Sequence, residues 1–277
     1  MPELPEVETI RRQLSPHLTG RRILRTEAHL ARRTFPDVDT FVAQTEGRHL
    51  LAVMRHGKQL YVALETGYLL VHLGMTGRLS LERDGHVAPP SSWTRHRHAV
   101  LHLDDGSRLV FTDPRTFGAL GVSETLDFLT GMGPDPLTVE FAPDRLVNRL
   151  RSSRTAVKSA LLNQGWVAGL GNIYADEVCW LAGVHPARPG DRTSLPRLRA
   201  LVGHIEPVLT RAIEAAGATL KDGGYQDLFG QEGRYHPHAY GRTGEPCERC
   251  GTALRRGVLG QSRSARSYHY CPRCQKA

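Results

Sequence analysis

The sequence predicts an α+β protein with several domains: an antiparallel β-sandwich that carries an N-terminal helix, a helical domain, and a small cysteine-rich end. Three observations lead to this prediction. Short apolar-rich runs recur between residues 22 and 122, which is typical of a sandwich or a barrel. Helical periodicity returns after residue 143. Four cysteines close the chain in two pairs, and 277 residues suffice for about two full domains.

The first element is expected to be a helix that begins within a few residues of the chain start. Pro5 suits an early helical position, and the glutamates beside it suit the positive N-terminal end of a helix. Gly20 is placed to end the helix. The apolar residues between them have helical spacing: Val7, Ile10, Leu14 and Leu18.

Strands are predicted in most of the first half of the chain. Two pairs of runs are separated by turn-forming residues, Glu65-Thr66-Gly67 and Asp104-Asp105-Gly106, and each pair predicts a hairpin. The predicted strands are residues 50–53, 59–64, 68–73, 77–81, 98–103 and 108–111.

The composition of the second half predicts the domain boundaries. Residues 131–143 are rich in Gly and Pro and are typical of a linker between domains. Helices are predicted at residues 143–150, 156–162, 173–181 and 195–216, whereas residues 217–244 are Gly-rich and are expected to form a long functional loop. The predicted domains are therefore residues 1–130, 144–240 and 241–277.

The charge distribution indicates a polyanionic partner. The formal net charge is +8, and residues 242–277 contain eight Lys or Arg against two Glu, an excess of six. Such clustering favours a phosphate-binding surface, although a solvated basic face would have the same composition. Neither a signal peptide nor a membrane span is recognisable in the sequence, so the expected location is the cytoplasm, in association with the nucleoid.

The cysteine spacing predicts one structural zinc ion. Cys247-x2-Cys250 and Cys271-x2-Cys274 are separated by twenty residues, so four thiolates can complete a tetrahedral shell with no open position. Iron, or four reduced cysteines without a metal, are the alternatives. Two strand-like stretches between the pairs, residues 254–259 and 267–270, predict a zinc ribbon that depends on the metal for folding.

The N-terminus offers a candidate nucleophile. Removal of Met1 is expected because Pro2 is small, and it would leave a secondary amine. A terminal amine has an ordinary pKa of about 7.7–8.0, and an adjacent helix N-terminus disfavours its cation. Its attack on a sugar C1′ would give an iminium ion that acidifies the C2′ hydrogen. Glu3 could protonate the ring oxygen; most prolyl N-termini, however, are inert.

Five motifs occur in the order found in one protein family. The chain resembles bacterial formamidopyrimidine-DNA glycosylases in its opening Pro2-Glu3-Leu4-Pro5-Glu6 and in its terminal zinc ribbon. The other three motifs are His72-Leu73-Gly74-Met75-Thr76-Gly77, Asp113-Pro114-Arg115-Thr116-Phe117-Gly118, and Gly169-Leu170-Gly171-Asn172-Ile173-Tyr174-Ala175-Asp176-Glu177. The resemblance covers effectively the whole chain.

The resemblance implies both a fold and an activity. It implies a β-sandwich with the catalytic helix, a helix–two-turn–helix domain with a lesion-covering loop, and a zinc finger, with DNA in the cleft between them. It also implies a monomer that binds double-stranded DNA, excises 8-oxoguanine and formamidopyrimidines, and cleaves the strand by β,δ-elimination.

The resemblance also implies the roles of individual residues. Pro2 would be the nucleophile and Glu3 the general acid/base, with Lys58 and Arg266 at the phosphates that flank the lesion. Met75, Arg115 and Phe117 would fill the gap left by the extruded nucleotide, since flipping a base costs a few kcal/mol of stacking. The remaining predicted DNA contacts are His72, Lys158, Asn172, Glu177, Thr219 and Lys221.

The sequence departs from the family's pattern at two places, and two rival functions are considered. Thr116 stands where the family often has a second arginine, and the match is poor at residues 223–238. An endonuclease VIII-type enzyme for oxidised pyrimidines would share the proline nucleophile, but Leu4 and Met75 favour the purine branch. A non-catalytic DNA-binding protein could keep the fold and the ribbon, but Pro2, Glu3 and Lys58 argue against it.

Overall fold

The structure, a computed structural model, describes residues 2–83, 91–219, 225–261 and 265–276. The chain forms two units. The first comprises Met1–Thr130 and Ala215–Arg234, and the second comprises Gly131–Glu214 and Tyr235–Ala277. The predicted boundaries differ from this division, because residues 215–234 belong to the N-terminal unit and the zinc ribbon clusters with the helices. Among the described residues, no helix has both the length and the apolar character that a membrane span requires.

The first unit contains the predicted helix and two β-sheets. Helix α1 spans Leu4–Leu18, and Gly20 follows its C-cap with a φ of 82°. One sheet has the strand order β1-β7-β8-β6 and the other β2-β9-β5-β4-β3. The strands are β1 (Ile23–Ala28), β2 (Thr34–Phe35), β3 (Leu50–His56), β4 (Gln59–Leu64), β5 (Tyr68–His72), β6 (Arg78–Glu82), β7 (Arg97–Leu103), β8 (Arg108–Thr112) and β9 (Ala119–Ser123).

Antiparallel pairing dominates both sheets, as predicted. The hairpins β4–β5 and β7–β8 form at the two predicted turns, with Leu60 opposite Val71 and Leu101 opposite Leu109. The short strand β2 pairs parallel to β9. The apolar stripe of α1 lies in the core of this unit together with side chains of both sheets. Burying each large aliphatic side chain contributes roughly 1.5–3 kcal/mol, so this contact fixes α1 to the sandwich.

Several elements of the first unit were not predicted. Helix α2 (Val38–Thr45) lies in the region that was expected to form strands, and the Asp37 carboxylate caps it by accepting from the Thr40 backbone N–H at 2.8 Å. Strands β1, β2 and β9 were also missed. Only Ile23 and Thr26 are buried in β1, so this strand lacks a strict alternation of apolar and polar residues. The short helix α3 (Ser91–Thr94) precedes β7.

The second unit is helical and ends in a hairpin. Its elements are α4 (Pro143–Arg151), α5 (Val157–Leu161), α6 (Asn172–Leu181), α7 (Leu195–Gly203), α8 (Ile205–Glu214), β10 (Arg255–Leu259) and β11 (Arg266–Tyr270). The prediction of one helix over residues 195–216 was wrong, because the helix is interrupted at His204. Pro207 has no N–H to donate to the carbonyl of Gly203, and a proline is tolerated in the first turn of a new helix.

Candidate functional site

The N-terminal residues of the first unit form a buried site at the start of α1. Pro2 is buried, and Glu3, the N-cap residue of α1, is only 2% exposed. The Glu3 backbone N–H donates to Glu6 Oε2 at 2.8 Å. A carboxylate at the third helical position that bonds back to the N-cap fixes the direction of the chain as it enters the helix. The Pro2 nitrogen is therefore attached to a rigid element.

The same Glu6 carboxylate binds the segment that was predicted to cover the flipped base. Glu6 Oε1 accepts from the Ala218 backbone N–H at 2.8 Å. A Cβ atom on Gly217, whose φ is 83°, would lie 2.7 Å from Glu6 Oε1, so the contact requires glycine there. Thr219 uses its hydroxyl within the segment, donating to the Tyr225 carbonyl and accepting from the Gly233 N–H. Lys221 lies outside the described residues.

Lys58 lies in the two-residue turn between β3 and β4, next to Gly57 with its φ of 57°. This hairpin is attached to α1, since Arg55 Nε donates to Glu8 Oε2 at 3.0 Å and Arg55 also donates to the Gly57 carbonyl. Burial opposes ionisation of Glu8, but hydrogen bonds from Arg11, Arg12 and Arg55 lower its pKa to about 2. The ion pair therefore persists at neutral pH and positions the Lys58 turn.

Met75 and Phe117 lie in two loops whose backbones are in contact. Met75 belongs to the β5–β6 turn (residues 73–77), and Phe117 to the β8–β9 loop (residues 113–118). A Cβ atom on Gly74 would lie 2.5 Å from both Phe117 C and Gly118 N, so only glycine permits this approach. Met75 is 37% and Phe117 46% exposed, and the Arg115 guanidinium lies 5.3 Å from the Phe117 ring centroid. The three predicted gap-filling residues thus project from one small area.

A buried carboxylate connects these two loops. Asp113 is fully buried, and its Oδ2 accepts from the Gly118 N–H at 2.7 Å while Oδ1 accepts from the Arg115 N–H at 3.2 Å. The Thr76 hydroxyl of the β5–β6 turn also donates to Asp113 Oδ1. Three donors from two loops converge on a single side chain. Asp113 therefore sets the relative position of the exposed Met75 and Phe117 side chains.

His72, at the end of β5, lies among positive charges. Burial lowers the pKa of His72, and the charges of Lys58 and Arg33 lower it further. Its Nδ1 atom is buried without a hydrogen-bond partner among the described residues. His72 is therefore mainly neutral at pH 7, and it can contact a phosphate as an N–H donor rather than as a cation.

In the second unit, Asn172 and Arg266 occupy positions suited to anion binding. Asn172 is the first residue of α6 and follows the N-cap Gly171, so it lies at the positive end of that helix. Its Nδ2 lies 3.4 Å from Ser267 Oγ, next to Arg266. Arg266 begins β11 and is exposed. Within this unit, the fold brings together these two residues from separate motifs.

Lys158, a predicted phosphate contact, lies inside the second unit. Its side chain is fully buried, and Nζ donates to Asp176 Oδ1 at 2.7 Å, to the Ser267 carbonyl at 2.7 Å and to the Asn172 carbonyl at 3.2 Å. These three acceptors match the three N–H donors of an ammonium group. Asp176 Oδ2 in turn accepts from the backbone N–H of His269 at 2.8 Å. Lys158 therefore joins α5, α6 and the ribbon.

Glu177, another predicted DNA contact, is likewise buried among internal hydrogen-bond partners. It is 0% exposed, and burial raises the pKa of its carboxyl although backbone N–H groups oppose this shift. Oε1 accepts from the N–H groups of Ala239 and Tyr240 at 2.9 and 3.1 Å, and Oε2 accepts from that of His238 at 2.6 Å. Glu177 thus anchors the segment that leads into the ribbon.

The four predicted zinc ligands are close together. The Sγ atoms of Cys247, Cys250, Cys271 and Cys274 lie within 4.8 Å of one another, and the distance from Cys250 Sγ to Cys271 Sγ is 3.5 Å. Four sulfurs around a zinc ion with bonds of about 2.3 Å lie about 3.8 Å apart, so the site fits the metal. The hairpin β10–β11 separates the two pairs, as predicted. The site binds one structural zinc ion.

Three family models match the chain in order. The formamidopyrimidine-DNA glycosylase N-terminal domain matches residues 1–120, the H2TH domain of the same enzyme matches residues 132–223, and the zinc finger found in FPG and IleRS matches residues 244–277. The chain belongs to the formamidopyrimidine-DNA glycosylase family. The predicted fold class, with its sandwich, helix–two-turn–helix domain and zinc ribbon, is thereby confirmed.

Individual members of the family are similar over most or all of their length. The formamidopyrimidine-DNA glycosylase of Alkalilimnicola ehrlichii is 42% identical, with full coverage of both chains, and that of Symbiobacterium thermophilum is 42% identical over 99% of this chain and 89% of its own length. The MutM (Fpg) structure from Thermus thermophilus superposes with a TM-score of 0.87 at 38% identity, covering 99% and 98% of the chains. The Lactococcus lactis Fpg bound to DNA with an abasic site has a TM-score of 0.88 at 30% identity, covering 99% and 100%.

Sequence reasoning missed three buried acids that shape these sites: Glu6, Asp113 and Asp176. Each lies in one of the five motifs, in which other residues were predicted to bind DNA or to react with it. Each of them also has a partner that is distant in sequence, namely Ala218 for Glu6, Thr76 for Asp113 and Lys158 for Asp176, and spacing alone does not indicate these contacts. A carboxylate in an otherwise apolar segment indicates a buried acid that holds other groups in place, since a buried charge requires partners.

Proposed function

We propose that the protein excises oxidised purines, namely 8-oxoguanine and formamidopyrimidines, from double-stranded DNA and then cleaves the strand at the abasic site. It thus acts as a DNA glycosylase with lyase activity in base excision repair. The observation that carries this proposal is the position of Pro2, a secondary amine once Met1 is removed, directly before the buried Glu3 at the start of α1. Family membership supports the same activity.

The proposed first step is covalent. The neutral Pro2 nitrogen attacks C1′ of the damaged nucleotide, the glycosidic bond breaks, and the base leaves with its electron pair and takes up the proton that the attacking nitrogen loses. Glu3 then donates a proton to the ring oxygen as the C1′–O4′ bond breaks, which leaves an iminium ion between C1′ and the Pro2 nitrogen. A tertiary iminium nitrogen has no proton to lose, so the positive charge remains.

Strand cleavage follows from that charge. The iminium ion acidifies C2′–H, and loss of this proton expels the 3′ phosphate in the β-elimination. A second deprotonation, at C4′, expels the 5′ phosphate in the δ-elimination, and water releases the remaining sugar from Pro2. Lys58 and Arg266, as phosphate ligands, would stabilise the charge that develops on the leaving phosphates.

The exposed residues of the first unit suit the extrusion of a nucleotide. Met75 and Phe117 would enter the base stack and replace part of the stacking lost there, and Arg115 would donate hydrogen bonds to the orphaned cytosine. His72 would donate to a phosphate. Asn172, at the α6 N-terminus of the second unit, would bind another.

The zinc ion supplies folding energy to the ribbon and takes no part in the reaction, since four thiolates leave it no open position.

We further propose that the protein acts as a monomer on chromosomal DNA in the cytoplasm. Lys158 and Glu177 support the DNA-binding elements from within, and any contribution of Thr219 and Lys221 belongs to recognition of the flipped base.

A lesion panel tests the proposal. Duplexes that contain 8-oxoguanine opposite cytosine, a formamidopyrimidine, thymine glycol or undamaged guanine are incubated with the zinc-loaded protein, and base release and strand cleavage are measured under single-turnover conditions. Faster excision of 8-oxoguanine than of thymine glycol is expected. The reverse order would indicate an endonuclease VIII-type specificity, and binding without base release would indicate a non-catalytic protein.

A further inference from the structure

Two arginines of the first unit are attached to the β8–β9 loop at Thr116. Thr116 has a φ of 54°, a left-handed conformation that is unfavourable for a β-branched residue. Arg33 Nε donates to the Thr116 carbonyl at 3.1 Å, and Arg32 Nη2 donates to the Thr116 hydroxyl. Arg32 and Arg33 thus lie next to the loop that carries Arg115 and Phe117.

These arginines lie near other positive charges of the first unit. Arg32 is exposed and Arg33 half-buried, and within the part of the chain that the structure describes neither forms an ion pair with a carboxylate. The charges of Lys58 and Arg33 both act on His72. Like charges that lie close together repel one another, and this repulsion is relieved when an anion binds among them.

The donor geometry leaves both guanidinium groups able to bind an anion. A guanidinium group has five N–H donors, and the bond from Nε to Thr116 uses one donor of Arg33. The bond to the Thr116 hydroxyl likewise uses one donor of Arg32. Planar donor pairs of this kind suit a phosphate, whose oxygens they can bind in a bidentate manner.

We propose that Arg32 and Arg33 form a binding site for a DNA backbone phosphate beside the β8–β9 loop. The ligand is a phosphodiester, whose charge the two arginines would neutralise while neighbouring His72 donates an N–H to one of its oxygens. This proposal rests on the function proposed above, because it assumes that DNA lies against this loop. It adds two DNA-binding residues that none of the sequence motifs contains.

The salt dependence of DNA binding tests the proposal. Affinity of the full-length zinc-loaded protein for a duplex with a tetrahydrofuran abasic-site analogue is measured by fluorescence anisotropy between 50 and 200 mM salt. Each phosphate contact contributes a slope of about 0.9 in log Kd against log salt, or roughly 3.5-fold over this range. Because the two arginines share one phosphate, the double variant Arg32→Gln/Arg33→Gln is expected to lower the slope by about one contact and each single variant by about half of that. Each single variant should weaken binding roughly tenfold.

Two further variants separate charge from structure. Arg33→Lys keeps the charge but loses the planar donor pair, so its slope should remain near that of the wild type. Arg21→Gln removes the same charge at the opposite end of β1, where Arg21 faces Asp105, and should leave the slope unchanged. If Arg33→Lys and Arg33→Gln weaken binding equally without a change in slope, the arginines only support the loop and the proposal is wrong. An Arg21→Gln slope that falls as much as that of Arg33→Gln would also overturn it.

Borohydride trapping of the wild type on 8-oxoguanine DNA distinguishes this proposal from the function on which it rests. Trapping together with unaltered slopes in Arg32→Gln and Arg33→Gln would reject the phosphate site and leave the proposed function intact. Absence of trapping in the wild type would instead reject the proposed function.

Discussion

Replacement of Asp113 by asparagine should impair base extrusion more than strand cleavage. The carboxylate accepts from the Gly118 N–H on one oxygen and from the Arg115 N–H and the Thr76 hydroxyl on the other. An asparagine of the same shape offers one oxygen, and its amide group would face a donor at the other position. At least one buried N–H then loses its acceptor, and the β8–β9 loop loses its fixed position.

The size of the effect follows from those bonds. A buried donor left without a partner costs about 1–3 kcal/mol, and the remaining bonds are weakened because their acceptor is no longer charged. A total of about 2–3 kcal/mol is expected, which corresponds to a fall in Tm of roughly 4–12 °C. If most of this energy is lost from the extruded state, excision of 8-oxoguanine slows by about 30- to 100-fold.

The assay compares two substrates at a temperature well below the Tm of the variant. Excision from 8-oxoguanine DNA requires extrusion of a stacked base, whereas cleavage at a preformed abasic site does not, so Asp113→Asn should cleave abasic DNA within about threefold of the wild-type rate. Thr76→Val, which removes one of the three donors, should show the same selectivity to a smaller degree. Equal losses on both substrates would refute the assigned role of Asp113, as would no loss on either.

Three further predictions concern stability, pH and the metal. Ala216 has a φ of 59°, so Ala216→Gly should raise the free energy of unfolding by about 1 kcal/mol in a urea titration; a decrease would contradict the strain assigned there. The pKa of Glu8 is lowered to about 2 from 4.5, so its stabilising effect is complete above pH 4.5 and is lost as the pH falls from 4.5 through 2. Relative to Glu8→Gln, the wild type should lose about 2 kcal/mol over this window after allowance for solvent screening, and parallel pH profiles would refute the ion pair. Cys250→Ser should lose zinc, measured by metal analysis, and bind DNA weakly while the first unit stays folded; tight DNA binding without zinc would contradict the role of the ribbon.

The elements with a strong local pattern could be predicted from the sequence. Each of these patterns is formed by residues that are close together in the sequence. They are the stripe of α1, the hairpin turns of β4–β5 and β7–β8, and each of the two cysteine pairs. Helix α2 was missed because its eight residues offer only two buried side chains, Phe41 and Thr45, and therefore no clear helical stripe.

Long-range contacts account for what the sequence could not show. Glu6 binds Ala218 across 212 positions, and this bond assigns the loop after α8 to the first unit rather than to the helical domain. Lys158 and Glu177 occupy motif positions that suggested DNA contacts. Their burial depends on how α5, α6 and the ribbon pack together, and a short stretch of sequence does not indicate this packing.

The central claim is that the Pro2 nitrogen forms the covalent bond to DNA. Borohydride reduction during turnover of 8-oxoguanine DNA, followed by peptide mapping of the adduct by mass spectrometry, tests it most directly. The account predicts a sugar remnant on an N-terminal peptide that begins with Pro2, and no adduct in Pro2→Gly. An adduct mapped to Lys58, or an active protein that retains Met1, would contradict it.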